Sequence, residues 1–183
     1  MQKYLSVPSN LICYLPTGGG KTLICLLALL YEVLHNKLNV IIALPYIALV
    51  KEKLKAFAPY ALKFNFLIEE YAGGKGCLPP VKRRKTNAVY ICTLEKASML
   101  YQSLIELDRA REIGLVVFDE FHFIGEEGSR GILIEELIIF ANYFKNCTKI
   151  LGLSATLDNL NALQNFMNAE LFTNTYRPVI YSK

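Results

Sequence analysis

Short apolar runs that alternate with amphipathic stretches constrain the fold of this chain more than any other feature of its sequence. The apolar runs lie at residues 11–15, 40–44, 64–68, 89–92, 115–118 and 149–153. The amphipathic stretches lie at residues 22–35, 47–57, 95–107, 131–144 and 159–167. Alternation of strands and helices predicts βαβ units, and therefore a mostly parallel sheet that is sandwiched by helices. The sequence thus predicts an α/β fold.

The high apolar content could instead indicate a membrane protein, because 53% of the 183 residues are hydrophobic. A membrane-spanning helix needs about 20 consecutive apolar residues. The longest candidate, residues 23–31, is too short and lies between Lys21 and Glu32. Parallel strands that are covered on both faces account for the same composition. We therefore expect one α/β domain without a membrane partner.

A glycine-rich turn joins the first predicted strand to the first predicted helix, as a phosphate-binding loop requires. Glycines let backbone N–H groups converge on phosphate oxygens, and the helix N-terminus adds a favourable partial charge. Lys21 would reach the β- and γ-phosphates of a nucleotide, and the Thr22 hydroxyl would bind Mg²⁺. The predicted binding residues of this turn are Pro16, Thr17, Gly18, Gly19, Gly20, Lys21 and Thr22. The strict pattern begins with glycine where this chain has Leu15, so a turn that only caps a helix stays an alternative.

Two adjacent carboxylates, Asp119 and Glu120, follow directly after the apolar run 115–118. Carboxylates at the carboxyl end of a buried strand need a partner, and ligands bind at that edge of an open α/β sheet. We predict that Asp119 holds Mg²⁺ and that Glu120 accepts a proton from the water that attacks the γ-phosphate. We expect His122 to relay between the nucleotide and the segment 154–156. A pair of solvated carboxylates in a turn is the alternative.

Small and polar residues follow three further strands at the same predicted edge. Ser154, Ala155 and Thr156 follow the run 149–153, and we expect them to couple the nucleotide to the rest of the molecule. Segments after the runs 40–44 and 89–92 offer N–H groups, hydroxyls and lysines to a phosphate backbone. These candidate nucleic-acid contacts are Pro45, Tyr46, Lys51, Thr93, Glu95 and Lys96. Helix capping by Thr93, with a solvated Lys96, explains part of this set equally well.

Charge and cysteine content add weaker constraints. The net charge of +4 does not decide whether nucleic acid binds, because a basic groove can lie on a nearly neutral body. The basic run 82–85 is expected in an exposed loop that covers residues 73–87. The five cysteines form no C-x-x-C pair, and Cys13, Cys25 and Cys92 fall inside apolar runs. We expect buried, reduced thiols in a cytosolic or nuclear protein, and no cysteine metal site.

Taken together, the motifs resemble those of superfamily-two helicases over nearly the whole chain. PTGGGKT at 16–22 resembles motif I, ALPYIALVKEK at 43–53 resembles motif Ia, and YICTLEKA at 90–97 resembles motif Ib. DEFHFIGEEGSRG at 119–131 resembles motif II of the branch that includes the helicase part of DNA polymerase theta, although Phe121 stands where that branch usually has Leu or Val. LGLSATL at 151–157 resembles motif III, and residues 68–85 are similar to helicase POLQ-like proteins.

The resemblance implies a RecA-like P-loop NTPase fold, ATP and Mg²⁺ as ligands, and 3′ to 5′ translocation on single-stranded DNA. It also implies DNA repair in the nucleus, with repair and recombination proteins as further partners. Matched residue by residue, the phosphate, metal, base and coupling roles of the family fall on Lys21, Thr22, Asp119, Glu120, Ser154 and Thr156. An RNA helicase of the same branch shares the catalytic motifs, and only residues 71–85 favour DNA by resemblance.

The resemblance also sets the expected domain division. Residues 1–175 correspond to a first RecA-like domain, and residues 176–183 to the start of a linker toward a second one in cis. In the family the second domain carries an arginine finger, and neither Arg130 nor Arg177 falls where that finger would. Because such a finger is worth about 10³–10⁵ in rate, we expect this chain alone not to turn over ATP usefully. Two alternatives remain: a P-loop ATPase that moves something other than nucleic acid, and a nucleotide-binding interaction module without turnover.

Overall fold

A single parallel sheet forms the centre of the computed structural model, which describes residues 10–82, 86–125, 128–144, 148–157 and 159–174. The strands are β1 (Asn10–Tyr14), β2 (Asn39–Leu44), β3 (Leu67–Tyr71), β4 (Ala88–Thr93), β5 (Ile113–Asp119), β6 (Lys149–Ser154) and β7 (Ala169–Thr173). Within the described residues these seven strands lie in the order β3-β4-β2-β5-β6-β1-β7, and every neighbouring pair is parallel. The predicted α/β fold with a parallel sheet is therefore confirmed.

Helices connect the strands and cover both faces of the sheet. They are α1 (Lys21–Leu30), α2 (Ile47–Phe64), α3 (Leu94–Glu106), α4 (Ser129–Tyr143) and α5 (Leu160–Met167). On one face, α1 and α2 pack against the sheet through buried residues that include Leu29 and Phe57. On the other face, α3, α4 and α5 pack through residues that include Leu100, Ile138 and Met167. Because both faces are covered, the central strands read as unbroken apolar runs.

The strands that precede the glycine-rich turn, the carboxylate pair and the segment 154–156, three motifs of the sequence, lie side by side. β6 lies between β5 and β1, so the strand before Ser154 separates the strand before Asp119 from the strand before the glycine-rich turn. Asp119 is in register with Leu153, and Ser154 is in register with Tyr14. Parallel strands end at one edge of the sheet, so three motifs that are far apart in sequence meet there.

The third strand and the helix before it differ from the sequence prediction. The apolar run 64–68 was expected to be a strand, but α2 extends through Pro59 to Phe64 and β3 begins only at Leu67. Pro59 lies on the exposed side of α2, where water can replace the backbone hydrogen bond that proline cannot donate. The helix ends at Phe64, and the next residue, Asn65, caps it with a left-handed φ of 55°. β3 then includes polar residues because it is the edge strand of the sheet.

The sequence predicted a helix through residue 35 but not the π-helical character of its last part, and it did not predict the last strand. After Leu30 the first helix continues as a π-helical segment, Tyr31–Asn36, which buries the Glu32 carboxylate beside Lys149 at 2.8 Å. β7 pairs with β1 at the opposite edge of the sheet from β3. β7 has five residues, of which Glu170 and Thr173 are polar and exposed, so it lacks the apolar run that identified the other strands.

The polar segment after β3 is an extended loop, as expected, but its described part is tied to the body of the domain. Tyr71 donates a hydrogen bond from its hydroxyl to the Cys77 carbonyl at 3.1 Å. Arg109 donates to the Pro80 carbonyl at 2.8 Å. Residues 83–85 of the basic run lie outside the described residues, as does the proposed linker 176–183.

The described cysteines are mostly buried. Cys13, Cys25 and Cys92 are free and buried, as the apolar runs predicted, whereas Cys77 is free and exposed. Cys147 lies outside the described residues. None of the helices in the described part of the chain has both the length and the apolar character that a bilayer crossing requires.

Candidate functional site

The glycine-rich turn after β1 has the backbone geometry of an anion cradle. Gly20 has a left-handed φ of 86° and lies directly before α1, so it turns the chain into the first helix. The Gly19 N–H donates to the Pro16 carbonyl at 2.9 Å. A Cβ atom on Gly19 would lie 2.8 Å from that carbonyl oxygen, so a side chain does not fit there. The turn needs glycine at these two positions to bring backbone N–H groups and the start of α1 together.

Lys21 lies over this turn. Its Nζ atom donates to the Leu15 carbonyl at 3.2 Å and lies 3.5 Å from the Pro16 carbonyl. The turn is also tied to β6, because the Leu15 N–H donates to the Ser154 carbonyl at 2.9 Å. A phosphate that entered the turn would offer Lys21 charged oxygens in place of these carbonyls, and hydrogen bonds between charged groups are the stronger ones.

A lysine that the sequence analysis missed links the turn to the carboxylate pair. Lys53, on α2, lies with its Nζ atom 2.8 Å from Asp119 Oδ2, and both side chains are about nine-tenths buried. The same Nζ atom donates to Thr22 Oγ1 at 3.2 Å. Lys53 lies in the segment that resembles motif Ia, and the local sequence pattern of α2 does not indicate a contact with Asp119.

The two predicted metal ligands therefore share one cation position. Thr22 Oγ1 and Asp119 Oδ2 both contact the Lys53 ammonium, so a positive charge already lies between them. A hydroxyl and a carboxylate oxygen are the hard ligands that Mg²⁺ takes in nucleotide sites. The donor set thus fits the magnesium ion that the sequence predicted, with water and phosphate oxygens needed to complete the coordination.

Glu120 lies at a sharp turn that follows β5. Its φ of 61° is left-handed, which is uncommon for a residue with a side chain. The chain then enters the single-turn helix Phe121–Phe123, and Phe121 is fully buried in the core. The Phe121 ring occupies the space above Gly152 on β6, where a Cβ atom would lie 2.8 Å from the ring. This turn leaves the Glu120 side chain about one-third exposed at the edge of the sheet, where a nucleotide could reach it.

His122 joins the carboxylate turn to the small-residue turn after β6. Its Nδ1 atom lies 3.4 Å from Glu120 Oε2 and 3.4 Å from Ser154 Oγ. The Ser154 hydroxyl donates to the Thr156 carbonyl at 2.6 Å and accepts the Thr156 N–H at 3.2 Å. Because Ser154 has only one hydroxyl proton, its contact with His122 requires a proton on Nδ1. Ala155 lies between the two bonded residues and is partly buried.

The candidate nucleic-acid contacts lie at the carboxyl ends of β2 and β4 and in the first turns of the helices that follow these strands. Tyr46, Lys51 and Glu95 are exposed and Lys96 is partly exposed, whereas Pro45 and Thr93 are buried. Thr93 takes the N-cap position of α3, but its side chain makes no capping hydrogen bond. Of the predicted set, Tyr46, Lys51, Glu95 and Lys96 are thus available to a ligand at the surface.

An arginine that the sequence analysis considered only as a finger packs on Tyr46. The Arg130 guanidinium lies 4.6 Å from the centre of the Tyr46 ring and 5.8 Å from that of Phe123. The two rings meet edge to face at 5.8 Å. Such cation–π contacts contribute about 0.5–1 kcal/mol at exposed sites. Arg130 therefore connects the start of α4 to the segment before α2, and it orients the exposed tyrosine.

A groove lies beside His122, between the carboxylate turn and α5. It has a volume of about 460 Å³ and is lined by residues that include His122, Thr156 and Leu163. The groove thus runs between the single-turn helix after Glu120 and α5. It gives solvent access to both ends of the polar connection between His122 and Thr156.

Comparison with known proteins agrees with this arrangement. The sequence profile of the family described as DEAD/DEAH box helicase matches residues 2–163. Helicase POLQ-like of Homo sapiens is 46% identical over 170 residues, which is 93% of this chain. DNA polymerase theta of Drosophila melanogaster is 34% identical over 174 residues, and ATP-dependent DNA helicase Hel308 of Thermoplasma volcanium is 33% identical over 171 residues, each again over 93% of this chain. These matches confirm the resemblance that the motifs indicate.

The chain spans only part of each relative. It covers 15% of the human protein, 8% of the Drosophila polymerase and 24% of the Thermoplasma helicase. The family match at residues 2–163 includes β1 to β6 and the turns that follow them, whereas most of each relative lies outside the part that this chain covers.

Proposed function

The chain belongs to the DEAD/DEAH box helicase family, and from that premise we propose that it is the ATP-binding motor domain of a single-stranded DNA helicase. The observation that carries the proposal is the side-by-side arrangement of β5, β6 and β1, which brings the turn at 16–22, the pair Asp119–Glu120 and the segment 154–156 to one edge. Any one of these segments is common in unrelated proteins. Their convergence at the ligand-binding edge of a parallel sheet favours a nucleotide-driven machine.

In this proposal the turn would bind the phosphates of ATP through its backbone N–H groups, and Lys21, which now donates to carbonyl oxygens, would donate to phosphate oxygens. Thr22 and Asp119, whose oxygens already contact one cation, would hold the Mg²⁺ ion. When bound, that ion neutralises charge that develops on the phosphate oxygens. Asp119 is already oriented for this role, because its second oxygen, Oδ1, accepts the Glu120 N–H at 3.2 Å.

Glu120 acts as the general base in the proposed mechanism. Its carboxylate orients the attacking water and accepts a proton from it, as the matching residue does in related phosphoryl-transfer sites. The contact of Oε2 with His122 Nδ1 at 3.4 Å supports a carboxylate that is held at the edge of the nucleotide site. The hydrogen bonds of Ser154 with Thr156 then give a path by which a change at Glu120 reaches the turn after β6.

DNA as the track, and 3′ to 5′ polarity on it, are inferences from the relatives. The name of one relative at 33% identity is ATP-dependent DNA helicase Hel308, and Helicase POLQ-like at 46% identity shares more of the sequence. We extend the proposal to DNA repair in the nucleus on the same ground, with a second RecA-like domain in cis and repair and recombination proteins as partners. The exposed Tyr46 and Lys51 support a nucleic-acid surface beside the nucleotide site.

The experiment that tests the proposal measures ATP hydrolysis by a polypeptide in which this chain is followed by a second RecA-like domain. We expect single-stranded DNA to stimulate hydrolysis, and we expect Glu120→Gln to abolish hydrolysis while ADP still binds, because the amide cannot accept the proton. Glu106→Gln, an exposed change at the end of α3, is the matched control and should hydrolyse ATP normally.

Three outcomes would contradict parts of the proposal. Stimulation by single-stranded RNA alone would make the chain part of an RNA helicase of the same branch. Nucleotide binding without hydrolysis in the unsubstituted polypeptide would indicate an interaction module. Normal hydrolysis by Glu120→Gln would remove Glu120 from the role of base.

A further inference from the structure

Lys53 is a buried charge at the position where the proposed function needs a metal ion. The ammonium group lies 2.8 Å from Asp119 Oδ2 and 3.2 Å from Thr22 Oγ1, the two oxygens assigned to Mg²⁺. Its side chain is 10% exposed, and that of Asp119 is 9% exposed. Burial of a charge is unfavourable unless a partner compensates it, so each of the two side chains depends on the other.

Two cations do not fit at this position together. Mg²⁺ binds its oxygen ligands at about 2.0–2.1 Å in a near-octahedral arrangement. An ammonium that donates to the same hydroxyl and the same carboxylate oxygen occupies the space between these ligands and repels a second positive charge. When a metal ion enters, the Lys53 ammonium has to give up at least one of its two contacts.

We propose that Lys53 is an internal cation that takes the Mg²⁺ position in the nucleotide-free protein and is displaced when Mg²⁺ and nucleotide bind. Lys53 is therefore a positioning residue that sets how strongly nucleotide binding depends on the metal. The inference rests on the proposed function, since it assigns Thr22 and Asp119 to the metal. It goes beyond that function because it makes the metal compete with a side chain of the chain itself.

The location of Lys53 supports a specific contact rather than a general surface charge. Lys53 is the buried lysine of α2, whereas Lys51 and Lys55, two residues before and after it, are exposed. The ring of Phe57, one turn further along α2, lies 5.9 Å from its ammonium. The helix thus holds the lysine stem against the core and leaves the charged group at the two oxygens.

Removal of the Lys53 ammonium should change how strongly ADP binding depends on Mg²⁺. Removal of the ammonium leaves Asp119 without its cation, so metal-free ADP meets an uncompensated carboxylate and binds more weakly. In saturating MgCl2 the same variant binds ADP more tightly, because no internal cation has to be displaced. Both effects raise the ratio of the ADP dissociation constant in EDTA to that in MgCl2. A purely structural role would instead change both constants in the same direction and leave the ratio as it was.

The test is calorimetric titration of ADP into the unsubstituted chain, Lys53→Met and Lys55→Met, each in EDTA and in saturating MgCl2. We expect the ratio to rise at least about tenfold in Lys53→Met, which corresponds to about 1.4 kcal/mol. Lys55→Met removes an exposed lysine from the same helix and should keep the ratio of the unsubstituted chain. Circular dichroism checks the fold of each variant. If Lys53→Met does not fold, Lys53→Gln replaces it, since its amide retains N–H donors without the charge.

The outcomes separate the inference from the function on which it rests. A ratio in the folded Lys53 variant that is equal to or below that of the unsubstituted chain overturns the inference and leaves the nucleotide site in place. If the unsubstituted chain binds ADP under neither condition, the proposed function itself fails, and the inference fails with it.

Discussion

The Nδ1 atom of His122 lies 3.4 Å from Ser154 Oγ, and this contact joins the turn after β5 to the turn after β6. The same ring atom lies 3.4 Å from Glu120 Oε2. The proposed base and the small-residue segment are thus separated by a single side chain. Since β5 and β6 are adjacent, buried strands, the His122 ring is a direct route by which a change in the position of Glu120 can reach Ser154.

The first prediction concerns Ser154→Ala in the polypeptide with a second RecA-like domain. The change removes the hydrogen bonds to Thr156 and the contact with His122. We expect ATP hydrolysis without DNA to stay within a few-fold of the unsubstituted rate, while stimulation by single-stranded DNA falls about tenfold, which is about 1.4 kcal/mol of coupling. Ser103→Ala, whose hydroxyl donates only to its own helix at Leu100, is the control. Equal loss of basal and stimulated rates would place Ser154 in hydrolysis rather than in coupling.

The second prediction concerns the close packing of Phe121 on Gly152. A Cβ atom at position 152 would lie 2.8 Å from the buried Phe121 ring, so Gly152→Ala forces the ring or the strand to move. We expect the free energy of unfolding to fall by about 1–3 kcal/mol, as for overpacked cores. Urea denaturation measures this change. Gly74→Ala is the control, because a Cβ atom there meets nothing within 4 Å, and it should leave the unfolding free energy nearly unchanged. Equal stability of both variants would show that the ring adapts freely.

Most of the fold follows from the sequence because β1, β2, β4, β5 and β6 are covered on both faces and read as apolar runs. β7 escaped prediction because an edge strand with partial exposure needs no such run. The predicted position of β3 was wrong because Phe64 was assigned to a strand by its apolar character, whereas α2 continues to Phe64 and is capped by the left-handed Asn65. Local pattern identifies buried strands, but edge strands and helix ends depend on tertiary contacts.

In the candidate site, too, local motifs were predicted from the sequence, whereas contacts between distant residues were not. The glycines, carboxylates and small residues at strand ends could be identified from the sequence because each motif is local. Their proximity could also be predicted, because parallel strands end at the same edge of the sheet. The contact of Lys53 with Asp119 was not readable, because it joins residues from a helix and a strand that are 66 positions apart, by the difference of their numbers. The packing of Arg130 on Tyr46 was missed for the same reason. The roles of the site residues stay predictions until they are tested by substitution.

The third prediction concerns the exposed ring of Tyr46. Arg130 packs on this ring, which is 44% exposed, and orients it for a base to stack on it. We expect Tyr46→Ala to weaken binding of single-stranded DNA by about 1–3 kcal/mol, the usual contribution of one stacked base. Fluorescence anisotropy with a labelled oligonucleotide measures the affinity. Tyr60→Ala removes an exposed tyrosine inside α2, and this variant should bind DNA as the unsubstituted protein does. Unchanged affinity in Tyr46→Ala would exclude Tyr46 from the DNA surface.

The fourth prediction concerns the reactivity of the cysteines. Burial raises the pKa of the Cys13 thiol and of the Cys25 thiol to about 12 each, and it raises the pKa of the Cys92 thiol well above its usual value. A raised pKa keeps these thiols protonated at pH 8, and only the thiolate reacts with alkylating agents. We expect iodoacetamide to modify the exposed Cys77 in the native protein and to spare the three buried thiols until the protein is denatured. Mass spectrometry of digested peptides gives the answer. Rapid modification of Cys13, Cys25 or Cys92 under native conditions would contradict their burial.

The most direct test of the account is calorimetric binding of ATP with Mg²⁺ to the unsubstituted chain and to Lys21→Ala. Hydrogen bonds to charged groups contribute about 1.5–3 kcal/mol, so we predict binding by the unsubstituted chain that is at least about tenfold weaker in Lys21→Ala. Lys55→Ala, an exposed change on α2, should bind like the unsubstituted chain. Equal affinity in all three proteins would contradict a nucleotide site at the glycine-rich turn, and with it the assignment of the chain as an ATP-driven motor domain.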